Sequence, residues 1–248
     1  MARVQRYISD ELTHFVGRSA LGDLETQYKV LLAVLQSGWL THPPHQPSDL
    51  PKINIRLMGR ISQNQLHDPQ VVCFCDIPVE DFAIHSLKYG RFGLAFKKTI
   101  LAAKGANPVF YIARTSVIQI PADVAVNPIP KEIQRASRAD YFDVMVQAQV
   151  LSSMAQRRHY FDSGSVEEGL SQDRENRFFN FYVYSFMKFF DETKADDDPD
   201  NFYMEREWRV LGNVQFTLED VSRLLLPEEF AKRFREDVPD FYKQVTFI

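Results

Sequence analysis

The sequence predicts an α+β fold, and three observations lead there. Short apolar runs rich in strand formers, such as Val71–Ile77, stand beside stretches with helical spacing. Strands and helices follow one another without the regular strand–helix–strand alternation of a doubly wound sheet. No internal repeat and no Gly/Ser linker divides the 248 residues, so a single domain, 1–248, is expected.

The elements follow in chain order. Leu12–Val16 reads as a strand with Thr13 and Phe15 on one side and Leu12, His14 and Val16 on the other. In Glu25–Ser37, Tyr28, Leu31, Leu32 and Leu35 recur at three and four, the pattern of an amphipathic helix, and Gly38 is its expected stop. His42–Pro51 holds four prolines and reads as loop. Val71–Ile77 is a buried strand ended by Pro78, and Val79–Lys88 suits one short helix. Gly93–Phe96 and Val109–Ala113 read as strands, with the turn between their flanks at residues 105–108; Val117–Ala125 reads as extended.

Lys131–Tyr160 carries Ile133, Tyr141, Val144, Met145, Ala148 and Leu151 on a helical period, as one long helix or two. Asn176–Phe190 is a further helix, with more rings than one stripe holds, so burial on most sides is expected. Together they predict a helical insertion at 131–190. The acidic loop Asp191–Asp200 follows, then a strand at Glu207–Leu211, a helix at Pro227–Arg235 and a closing strand at Val245–Ile248.

Several function classes are excluded. The longest apolar runs, such as Val30–Leu35, fall far short of the roughly 20 residues of a membrane span. The first residues lack a secretory apolar stretch, and the two cysteines, Cys73 and Cys75, are too close for a disulfide framework, so a cytoplasmic protein with no membrane role is expected. On one strand both thiols face the same side, expected to be the core. P-loop, G-x-G-x-x-G and G-x-S-x-G patterns are missing. His42 and His45 lack a third ligand and Asp196–Asp198 lacks the calcium-loop glycine, so no metal is expected. The net charge of −4 divides into +4 over residues 1–120 and −8 over 121–248. A basic front half suits a phosphate-bearing ligand or nucleic acid, as it suits ordinary surface scatter.

Three places carry candidate chemistry. In Glu11–Arg18, His14 fits either a satisfied core position or a ribose-orienting imidazole. In His85–Lys98, Tyr89 and Phe92 could stack on a planar ring while Arg91, Lys97 and Lys98 meet phosphates; a turn entering a strand explains them equally. In Glu205–Arg209, a continuous strand puts Glu205, Glu207 and Arg209 on one face. Two crowded carboxylates separate in pKa and role, unless Arg209 neutralises both in a structural ion cluster.

Together, Glu11–Arg18 (ELTHFVGR), Val72–Pro78 (VCFCDIP), Tyr89–Phe96 (YGRFGLAF), Gly105–Ile112 (GANPVFYI) and Glu205–Val210 (EREWRV) resemble the AbiGi family of abortive phage-resistance proteins. That resemblance implies a phage-defence setting in a toxin–antitoxin-type system, as toxin or as antitoxin. A more distant resemblance is to ADP-ribosyltransferases: His14, then Leu31, Leu35, Gly38 and Leu40, then Tyr89, then Glu205-x-Glu207, without an S-T-S pattern. It implies split mixed or antiparallel sheets around a cleft and NAD as substrate, with no metal. His14 would hold the ribose, and Tyr89, with Phe92 or Phe96 as alternatives, would shape the nicotinamide pocket. Glu207 would bind the nicotinamide ribose and Glu205 orient the acceptor, with Arg18 or Arg91 on the pyrophosphate. Two functions are expected from this: a toxin moving ADP-ribose from NAD to RNA, DNA or protein, or a non-catalytic antitoxin binding a cognate protein.

Overall fold

In the computed structural model, residues 9–42, 45, 53–56, 67–114, 116, 177–198 and 200–248 are described. The strands and helices in chain order are β1 (Glu11–Val16), α1 (Leu24–Ser37), β2 (Trp39–Leu40), β3 (Ile53–Ile55), β4 (His67–Pro69) and β5 (Val71–Cys75). There follow α2 (Ala83–Tyr89), β6 (Phe92–Lys97), α3 (Lys98–Ala103), β7 (Asn107–Pro108), β8 (Phe110–Ala113) and β9 (Met187–Phe190). The last are β10 (Glu207–Leu211), β11 (Val214–Gln215), β12 (Val221–Leu226), α4 (Ala231–Asp237) and β13 (Gln244–Phe247). The class is α+β with a mixed sheet. None of the described helices is long and apolar enough to cross a membrane.

Two compact units result: Met1–Lys52, Gln70–Val109 and Lys194–Ile248 form the first, Ile53–Pro69 and Phe110–Thr193 the second. The first is built on a seven-stranded sheet of order β13-β12-β6-β1-β5-β10-β7, in which only β12 and β13 run parallel. β1 is hydrogen-bonded along its whole length to β6, from Glu11 opposite Lys97 to Val16 opposite Phe92. Its other edge meets β5 at one pair, Thr13 opposite Cys75. The sheet is therefore continuous, where the resemblance implied a split pair, but it is thin at this seam.

Alternation along the strands puts Leu12, Phe92, Leu94, Phe96, Val72, Phe74 and Val210 on one face. Onto that face α1 lays Tyr28, Leu31 and Leu35, forming the main core with Leu224, Leu226, Phe230 and Phe234. The helix starts where Asp23 accepts the Thr26 N–H and ends at Gly38, whose φ of 67° and N–H to the Val34 carbonyl form a left-handed cap. The opposite face has a smaller apolar cluster of Cys75, Ile77, Phe82 and Leu225, and the polar residues described below. Cys75 is buried as expected, whereas Cys73 on the same face is exposed, because β5's outer end lies beyond that cluster.

Other expectations are corrected. A helix, α3, stands between β6 and the 105–108 turn, and β12 is a core strand that the sequence reading did not assign. Glu205 is not on β10: it closes a short 3-10 turn, Phe202–Glu205, and Arg206 at φ 46° separates it from the strand. The helix expected over 131–160 and the extended stretch over 117–125 lie outside the described residues.

In the second unit, β3 pairs antiparallel with β4, and β8 runs parallel to β9. The ring-rich segment is a wide helical turn over Phe179–Val183 and a 3-10 turn over Tyr184–Phe186, followed by β9, rather than one helix. Tyr184, Phe186 and Phe189 are buried, while Phe178, Phe179 and Tyr182 are exposed, so burial on most sides does not hold. A strand has two faces and a tight turn leaves its outer rings in water.

His67 on β4 is buried against the Tyr184 ring, 5.0 Å away, with neither ring nitrogen hydrogen-bonded among the described residues. Burial pushes its pKa down from 6.5 to about 4. The unfolded chain takes up this proton first, so the stabilisation from the neutral ring is complete above pH 6.5. It is lost as pH falls and is gone below about 4. The full loss is on the order of 3 kcal/mol at 1.36 kcal/mol per pKa unit. Urea titrations from pH 7 to pH 4 should show this slope in the native chain and a shallower one in His67→Phe.

Candidate functional site

The polar face of the first unit's sheet gathers several sequence-predicted residues at the seam between β1 and β5. Pairing puts Thr13, Cys75 and Glu207 in one row across β1, β5 and β10, all buried. The 3-10 turn before β10 delivers Glu205 beside this row, although Arg206 takes a left-handed backbone that only glycine adopts without strain. The carbonyl of Arg206 accepts the Asp76 N–H at 3.2 Å, which ties the kink to the end of β5.

From the other side, α2 supplies His85, Lys88 and Tyr89. Lys88 Nζ donates to Glu205 Oε1 at 2.7 Å, and the Tyr89 hydroxyl donates to the same oxygen. The Lys88 ammonium also sits 4.1 Å from the Phe202 ring centroid. The Tyr89 ring lies near-parallel to the rings of Phe15, at 6.2 Å, and His85, at 6.4 Å, and the Arg18 guanidinium lies 5.1 Å from its centroid. Burial and the neighbouring Glu205 carboxylate together push the Tyr89 phenol well above its ordinary range, so the hydroxyl stays a donor. Burial does the same to the Cys75 thiol, reinforced by Glu205, leaving it protonated and a poor nucleophile. His85 is held below its usual value, chiefly by burial, and its Nδ1 has no hydrogen-bond partner among the described residues.

The two carboxylates have separate cations. Glu205 has Lys88; Glu207, only 4% exposed, accepts from Arg209 Nε at 2.6 Å. The structural ion cluster weighed from the sequence is thus present in part, with Arg209 on one carboxylate and Lys88 on the other.

His14 is elsewhere. It lies on the core side of β1 with Phe74, whereas Glu207 shares the opposite face with Thr13 and Cys75. Its Nδ1–H donates to the Cys73 carbonyl at 2.7 Å, a side-chain bridge from β1 to β5 at the seam where the ladder is thin. Burial lowers its pKa, against that hydrogen bond, and favours the neutral ring.

Phe92 and Phe96 are fully buried in the core, Phe92 against Tyr28 and Phe230, Phe96 against Phe74 and Phe216. Arg91 Nε donates to the Ile248 carbonyl at 2.9 Å, and its guanidinium also meets Glu229. Lys97 pairs with Glu11 and Lys98 with Asp76. Of the residues proposed from sequence, Glu205, Glu207, Tyr89 and Arg18 are thus brought together; His14, Arg91 and Phe92 are not. Sequence reasoning missed Lys88 as the partner of Glu205, for no local pattern links positions 117 apart. Among the described residues no group of three or more His, Cys, Asp or Glu could hold a metal ion.

A family model described as abortive phage resistance protein AbiGi, antitoxin, matches residues 66–240, well over half of the chain. The chain belongs to the AbiGi family. The AbiGi match takes in β5, α2, β6, β10 and β12, hence Lys88, Tyr89, Glu205 and Glu207. It begins after β1, so Glu11–Arg18, quoted above for the resemblance, lies outside it. No curated protein and no solved structure matches this AbiGi chain.

Proposed function

We propose that this chain is the antitoxin of an abortive-infection pair, a non-catalytic protein that binds a cognate toxin. The observation that carries the reading is the state of the two carboxylates. A carboxylate that stabilises a sugar cation in a transition state must be open to it. Here Glu205 and Glu207 are 8% and 4% exposed, each neutralised by a cation of the same fold. The His14 imidazole lies on the opposite face of the sheet from Glu207, an arrangement that supports a non-catalytic reading over a shared NAD site. The description of the family as antitoxin favours the same reading.

ADP-ribose transfer from NAD to RNA, DNA or protein is the competing reading, and one pair of experiments separates the two. Cells expressing the cognate toxin should stop growing alone and recover when this chain is co-expressed, and the two proteins should co-elute. Purified chain incubated with NAD labelled on its adenylate phosphate, plus RNA, DNA and lysate protein, should transfer no label. Transfer that disappears in Glu207→Gln would overturn the antitoxin reading.

A further inference from the structure

We infer that β13 is an interaction edge at which a second copy of this chain adds its own β13 antiparallel, joining two seven-stranded sheets into one. The inference does not depend on the antitoxin reading, and its failure leaves that reading standing. The two edge strands of the sheet differ. At one edge β7 is only Asn107–Pro108, two residues long and ending in proline, the short and donor-poor form that resists pairing. At the other edge β13, Gln244–Phe247, holds no proline and no charged residue, and its Phe247 ring is 47% exposed. Such an edge is a template for a further strand.

The register decides which groups this edge offers. The Ile248 N–H donates to the Leu226 carbonyl at 3.3 Å, and β13 runs parallel to β12 with Val245 beside Leu224 and Phe247 beside Leu226. A parallel ladder in that register turns the peptide groups of Gln244 and Thr246 inward to β12. Val245 and Phe247 therefore present both N–H and C=O outward, where neither has a partner among the described residues. Val245 packs against the main core and Phe247 shares its face, while Thr246 lies on the other face, accepting from Arg223.

The strand this edge fits is its own copy. With a two-fold axis through Thr246, Val245 faces Phe247 of the second copy, and Phe247 faces that copy's Val245. Both are hydrogen-bonded pairs, so each outward N–H and C=O of the two residues is satisfied. A β-branched residue beside an aromatic ring, and threonine beside threonine, are cross-strand neighbours that stabilise a sheet. The exposed Phe247 ring gains cover, and no like charges meet between Gln244 and Ile248.

The test is sedimentation of the full chain from about 1 µM to about 1 mM, a range that reaches weak but specific association. A monomer–dimer equilibrium is expected. Phe247→Lys sets like charges diagonally across the axis and should weaken it by about tenfold or more. Val245→Pro deletes an outward donor, leaves the β12 ladder intact and should do the same. In a Cys73→Ser background, which removes the exposed thiol, Thr246→Cys should form an intermolecular disulfide on mild oxidation. Opposed residues of a non-hydrogen-bonded pair stand about 4.5 Å apart, within reach of that bond. Gln244→Cys, which faces Ile248 of the second copy rather than itself, should not cross-link. A chain that stays monomeric throughout, or a dimer that both Phe247→Lys and Val245→Pro leave intact, would overturn the inference. Cross-linking of Gln244→Cys in place of Thr246→Cys would overturn it too. If the native chain is monomeric and Phe247→Lys instead loses the cognate toxin, the edge takes a toxin strand and self-pairing is excluded.

Discussion

Replacing Glu205 with alanine is expected to cost about 3 kcal/mol of folding stability, seen in urea denaturation as a lower midpoint with an unchanged slope. The substitution removes the acceptor of both Lys88 Nζ and the Tyr89 hydroxyl. Lys88 is 13% exposed at its side chain, so its charge is left poorly hydrated and without its carboxylate. Breaking a buried pair from one side costs about 3–5 kcal/mol. The lower end applies because the ammonium keeps the faces of the Phe202 and Tyr89 rings. Glu205→Gln retains an acceptor but leaves the Lys88 charge unneutralised, so it should cost about 1.5–3 kcal/mol, no more than Glu205→Ala. The double change Glu205→Gln with Lys88→Met removes the charge along with its partner and should be more stable than Glu205→Ala. If Glu205→Ala is as stable as the native chain, Lys88 has another way to water and the cluster is not an internal ion pair.

What the sequence made legible was local. The spacing of Tyr28, Leu31 and Leu35 and the glycine at position 38 define α1 almost to its ends, because a helix is written in contacts three and four residues apart. Alternation in Leu12–Val16 assigned His14 to the face of Leu12 and Val16, and the structure places it there. What could not be read was pairing. Cys75 lies between Thr13 and Glu207 because strands distant in sequence meet at one register, and neither composition nor period specifies that meeting.

β12 escaped notice for a different reason: Val221–Leu226 ends in three leucines, which are not the β-branched residues that mark a strand. Its burial on both faces, with Leu224 and Leu226 in the main core and Leu225 in the second cluster, erases the alternation that would have revealed it. Glu205 shows how a correct neighbourhood can follow from an incorrect element. A continuous strand was expected to align it with Glu207, and a 3-10 turn with a left-handed Arg206 brings it beside the same row instead.

The core position of Phe96 gives the other large effect: Phe96→Ala should cost about 4 kcal/mol. Phe96 is fully buried near the middle of the sheet, paired with Leu12 of β1 on one side and Val221 of β12 on the other. Its ring meets Phe74 at 6.1 Å and Phe216 at 5.4 Å, both nearly edge to face. Truncation removes the transfer energy of the ring, the two ring–ring contacts and the packing of the strands around it; the strands hold their neighbours in register and so limit collapse into the cavity. Phe96→Leu leaves a smaller void and should cost about 1–1.5 kcal/mol. That milder variant also separates a core role from a pocket role. A ring that only fills the core leaves toxin neutralisation unchanged once the protein is folded, so Phe96→Leu should rescue growth like the native chain at 25 °C. If Phe96→Leu instead abolished rescue while remaining folded, its ring would have to touch a ligand or partner, and the assignment of this face to the core would be wrong.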